Sequence, residues 1–128
     1  MNNPHLRFTG RPAYELPNLL NAFNAKTSRG DDMTEDLRDQ ADAIETHAIN
    51  ALDAIGDGIE AIGAAMFSAG TNEDWPMDGR TVAALGSLIK HLAVEQQYLR
   101  SVEGDMHTRI EMHDQKVEAA MAKKGGAK

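Results

Sequence analysis

The sequence predicts an all-α protein: a long antiparallel helical hairpin, coiled-coil-like along its seam, that pairs into a dimeric four-helix bundle and carries an N-terminal arm. Three observations predict it. First, two apolar stripes read as reversed copies across a turn near Trp75. One runs Met33, Leu37, Ala41, Ile44, Ala48, Leu52, Ile55, Ile59, Ile62, Met66, Ala69. The other runs Val82, Leu85, Ile89, Leu92, Gln96, Leu99, Val102, Met106, Ile110, His113, Val117. Facing positions sum to 150 or 151, so one seam can bury both stripes. Second, both stripes take two consecutive four-residue steps, Ile44 to Ala48 to Leu52 and Val102 to Met106 to Ile110, so that Ile44 faces Met106. Such a stutter unwinds a left-handed supercoil, and packing survives best when both helices unwind at the same height. Third, a stripe of small residues lies beside the first seam, which asks for a further helix.

The elements follow in order. Residues 1–30 form an arm containing Pro4, Pro12 and Pro17, with a short helix expected to open at Pro17 and carry Leu16, Leu19, Leu20 and Phe23. Burial demands that this patch fold back on the hairpin or onto a second subunit; the alternative is a partner-binding segment. Residues 31–124 form the hairpin. Its first helix spans about residues 33–69, capped at its start by Asp32 or Thr34 ahead of Glu35 and Asp36, and ended by Gly70. A turn over residues 70–80 leads to a second helix over about residues 81–123, with Lys123 and Lys124 at its negative end. The tail, residues 125–128, is expected to be disordered.

Composition narrows the function classes. The 128 residues hold no cysteine, which removes disulfides, thiolate metal sites and cysteine nucleophiles together. The start, MNNPHLRFTGRP, lacks the apolar core of a signal peptide, and no apolar run is long enough to span a bilayer. The expected compartment is the cytoplasm. Net charge is −7, with thirteen acids between residues 31 and 82 against Arg38 and Arg80, whereas the arm holds Arg7, Arg11, Lys26 and Arg29 against Glu15. An acidic body argues against nucleic acid or anionic lipid as the main partner. A nucleic-acid-associated protein using the basic arm is the alternative.

The small-residue stripe comprises Ala51, Ala54, Gly58, Ala61, Ala65 and Ser68. A helical glycine costs about 1 kcal/mol relative to alanine, so Gly56, Gly58 and Gly63 within eight residues need a reason, and close approach of another helix supplies one. Ala51, Ala54, Gly58, Ala61 and Ala65 are therefore assigned to a homodimer interface. A third face, Glu35, Asp39, Asp42, Asp53, Asp57 and Glu60, reads as a solvated surface or as a docking surface for a basic partner protein.

Chemistry-bearing residues are sparse. Glu103, His107 and Glu111 project from one side of the second helix, with His47 at a similar height on the first, which makes a helical-bundle metal site the second alternative. Paired Glu-x-x-His motifs are missing, however, and His47 sits nearer the small stripe than the seam. Ion pairing explains these residues better. His113 and Gln96 read as polar positions within the core stripe. No nucleophile motif, phosphate loop or zinc signature occurs, so no catalytic residue and no cofactor are expected and the protein reads as a non-enzyme.

The turn holds Trp75, Pro76 and Met77. It reads as a plug over the end of the bundle or as a recognition tip, aromatic residues being enriched at interface hot spots. A two-helix hairpin with tryptophan at its turn resembles the small secreted substrates of the ESX-type pathway over residues 33–117, which implies a secreted helical-hairpin substrate. That family's turn carries Trp-x-Gly where this chain has Trp75-Pro76-Met77, and its export signal has an acid where Val102 follows Tyr98. The leading expectation is a non-enzymatic protein-binding regulator, adaptor or inhibitor. A phage or plasmid accessory protein acting on a host protein complex would suit it. Trp75, Met77, Leu19, Leu20 and Phe23 are its expected partner-binding residues.

Overall fold

The computed structural model describes residues 3–6, 12–28, 32–74 and 76–126, the side chains of residues 12–14 apart. Among these residues there are three helices and no strand: α1 (Pro12–Thr27), α2 (Glu35–Gly70) and α3 (Gly79–Gly125). At 1.5 Å per residue, α2 and α3 are roughly 54 and 70 Å long. No helix among the described residues is long and apolar enough to cross a membrane.

α2 starts where the Thr34 hydroxyl accepts the Leu37 N–H at 3.2 Å, and acidic Glu35 and Asp36 occupy its first turn. Its end departs from expectation. Gly70 is still helical, and Thr71 caps the helix in an ordinary right-handed conformation, with φ of −94°. The Thr71 hydroxyl donates to the carbonyls of Phe67 and Ser68, so a side chain satisfies the last turn and no left-handed glycine is needed. α3 opens on Asp78, whose carboxylate accepts the Thr81 N–H at 2.8 Å. The backbone hydrogen bonds hold that carboxyl below its ordinary range.

α2 and α3 pack as the expected antiparallel hairpin. Leu37, Ala41, Ile44 and Ala48 are buried against Leu99, Val102, Met106 and Ile110, and Ile44 and Met106 share that core. Two polar bridges cross between the helices at nearly the same offset as the seam. Arg38 grips Asp114 with two hydrogen bonds, of 3.1 and 3.2 Å, and His107 Nδ1 lies 2.9 Å from Glu45 Oε1.

α1 starts at Pro12, five residues earlier than expected, and Pro17 lies inside it. Pro12 suits the first helical position, whereas Pro17 removes one backbone hydrogen bond within the helix. α1 lies on α2, with Leu16 and Phe23 buried and Leu19 and Leu20 packed against the same core. Burying a side chain such as Phe23 stabilises by about 1.5–3 kcal/mol. The chain start joins it: the Asn3 amide donates to the Asp39 carbonyl at 2.7 Å and to the Asp42 carboxylate at 2.9 Å.

Cover is uneven along the hairpin. Every fully buried residue of α2 lies between Leu37 and Ala48, and every one of α3 between Leu99 and Ile110, where α1 adds a third helix. Beyond them the same seam continues through Ile55, Ile59, Ile62, Met66, Leu85, Ile89 and Leu92, all only half-buried. Two helices alone bury one stripe each from one side.

Candidate functional site

The surfaces worth testing are those the three helices leave uncovered. α1 rests on Gln40, Ala43, His47 and Ala51, the proximal continuation of the small-residue stripe. Lys26 pairs with Asp36 at 3.2 Å, and the same antiparallel offset puts Glu15 at the height of His47. α1 stops there. The remaining stripe is bare: Ala54, Ala61 and Ala65 are exposed and Gly58 is half-exposed, and a Cβ built on Gly58 meets nothing within 4 Å. No other helix among the described residues covers it.

Where α1 ends, a step lined by Leu16, Leu20, Ala54, Ile55, Tyr98 and Leu99 forms a mainly apolar trough. Larger apolar side chains stand exposed farther out, Phe67 at 75% and Val94 at 60%, with Leu88 and Val82 less so. By helical geometry Gly56, Gly63 and Phe67 lie on the flank of α2 opposite the small stripe. The distal half of the hairpin therefore has two uncovered flanks of different texture, one smooth and one carrying Phe67.

The expected recognition residues divide. Phe23 is fully buried and the half-buried Leu19 and Leu20 are packed against the core, so the patch folds back on the hairpin, with Leu20 also lining the trough. Met77 is half-buried beside an exposed Pro76. Trp75 lies outside the described residues, as do Arg7, Arg11 and Arg29 of the basic arm and Lys128 of the tail. The acidic face is used unequally. Asp36 takes Lys26 and His5, which together hold its carboxyl below the ordinary range, and Asp42 takes Asn3, while Asp53, Asp57 and Glu60 stand exposed.

The four residues weighed as metal ligands do not come together. His47 is fully buried on the α1 side, whereas His107 and Glu111 are exposed on the opposite flank. Among the described residues no group of three or more His, Asp or Glu side chains is placed to hold a metal ion. His107 instead bridges Glu45 and, at 3.5 Å, Glu111; hydrogen bonding to the Glu45 carboxylate raises its pKa. Glu45 escaped sequence reasoning because it lies one residue off the seam, although the hairpin register places it opposite His107. Asp114 likewise holds Arg38, and the guanidinium keeps that carboxyl below its usual range, with His113 Nδ1 at 3.1 Å assisting.

Comparison of the chain with protein-family models, with curated proteins and with solved structures gave no match.

Proposed function

We propose that this protein is a non-enzymatic regulator or adaptor that binds another protein through the distal half of its hairpin, and that it does so as a homodimer. The observation that carries the reading is the uneven cover: the seam is fully buried only where α1 adds a third helix, and beyond it the half-buried seam is flanked by exposed Phe67, Leu88 and Val94. A half-buried apolar seam with large exposed apolar side chains beside it is a surface that a partner can cover. The two flanks suit two occupants. The smooth flank of Ala54, Gly58, Ala61 and Ala65 admits close helix approach by a second copy, and the flank of Phe67 offers an aromatic anchor of the kind that dominates interfaces. Asp53, Asp57 and Glu60 between them favour a partner of basic character.

The test compares Phe67→Glu with Met121→Glu, both at exposed positions, by partner capture and circular dichroism. The expected result is that Phe67→Glu loses the captured protein while Met121→Glu keeps it, at unchanged helix content. Equal capture by both variants would remove the distal flank as the recognition surface.

A further inference from the structure

His47 is fully buried, and neither of its ring nitrogens has a hydrogen-bond partner. Two turns away, Gln40 Oε1 is likewise buried and unpartnered. Such atoms are rare in folded proteins, because each gives up its hydrogen bond to water and receives nothing back. Both residues lie on the face of α2 that α1 covers, so the polar groups sit beneath that helix. Apolar contacts of Leu16, Leu20 and Phe23 hold it down.

The two ends of α1 are not held alike. At the Thr27 end, Asp36 of α2 receives Lys26 Nζ at 3.2 Å and His5 Nε2 at 2.9 Å, and the Arg109 guanidinium lies 5.6 Å from the centre of the Phe23 ring. Toward the Pro12 end the helix lacks the backbone hydrogen bond that Pro17 cannot make, and it rests on the unpartnered ring.

We infer that α1 is an acid-released latch: protonation of His47 lifts the Pro12 end of α1 off α2, while the contact of Lys26 with Asp36 and the burial of Phe23 hold the other end. A charged imidazole cannot stay in a dry site that offers it no acceptor. Lifting the helix readmits water. The charged groups around the ring do not rescue it. Among the described side chains of α1, Glu15 acts on it, favouring the charged form, and desolvation outweighs that effect. On α2 the neighbours Ala43, Ile44, Asn50 and Ala51 are uncharged. At the same height on α3, Asp105 is paired with Arg109, and Glu103 lies on the flank of His107.

The sign follows from burial. Desolvation holds the docked ring below its ordinary value near 6.5, so the docked form takes up its proton later than the lifted form. Docking is at full strength above about pH 6.5 and weakens by up to about tenfold per pH unit below it. The latch does not depend on the distal surface proposed above: lifting the Pro12 end takes Leu16 away from the trough that it lines with Ile55 and Leu99.

The experiment measures amide hydrogen-exchange protection, corrected for intrinsic rates, in the full chain at pH 7.5 and pH 5.0. Protection over residues 15–20 is expected to fall by tenfold or more at the lower pH, with residues 37–48 of α2 unchanged. In His47→Leu the protection over residues 15–20 is expected to be the same at both pH values. Equal protection at both pH values in the native chain overturns the latch, as does an undiminished loss in His47→Leu. Should that variant fail to fold, ring titration in the native chain decides. Protonation of His47 with the Leu16 methyl resonances unmoved overturns the proposal, and joint movement supports it.

Discussion

His107 shows how much a single residue's role depends on the helix opposite. By spacing alone it belongs with Glu103 and Glu111 on its own helix, and the pattern reads as a possible ligand set. Glu45, reached across the seam, gives it a structural partner instead. The pair has a definite pH signature. Because the folded-state pKa of His107 is raised, its contribution is fully present below the ordinary value and disappears as pH rises through the elevated one. Replacing it, as in His107→Gln, is therefore expected to lower the thermal midpoint at pH 6 and to leave it nearly unchanged at pH 9, read by circular dichroism. An equal loss at both pH values would mean that the side chain acts through packing alone. His47 titrates in the opposite sense. Its burial was the less legible of the two, since a histidine on a stripe of small residues announces neither the helix that covers it nor the missing hydrogen-bond partner.

Among the elements, the hairpin register was readable because two independent patterns, three-and-four spacing and a shared stutter, admit few alignments; the bridges Arg38–Asp114 and Glu45–His107 obey the same offset. α1 was less readable. Pro17 has the mark of a helix start, yet the helix begins at Pro12 and runs through it, because Leu16 and Phe23 gain enough from burial to offset one lost backbone bond. The glycines of α2 were read as one group but belong to two flanks. A Cβ on Gly56 or Gly63 meets nothing within 4 Å, so neither position needs a glycine for packing within this chain. Gly56→Ala is thus expected to stabilise the fold by about 0.5–1 kcal/mol in chemical denaturation. A loss of stability would show that something outside this chain approaches that flank closely.

For the whole molecule, sequence stripes define which faces are apolar but not which of them the chain covers itself. The small stripe runs from Ala51 to Ser68, and α1 reaches only its start, a division set by where α1 ends and not by any change in the stripe. In the proposed homodimer, association through the remainder would make stability depend on concentration. The thermal midpoint is expected to rise with protein concentration, and Gly58→Leu is expected to abolish that rise and halve the mass seen in light scattering. A native chain of monomer mass at every concentration would count against the homodimer. The half-length cover by α1 also has a mechanical consequence. The hairpin behaves as a short beam clamped at one end, its free prong held by a single line of contacts. Thermal opening then starts at the turn and runs down toward Leu52 and Leu99 as a zipper does, so exchange protection should form a gradient along the prong and a plateau in the clamp. Any partner that grips the prong converts that gradient into the plateau.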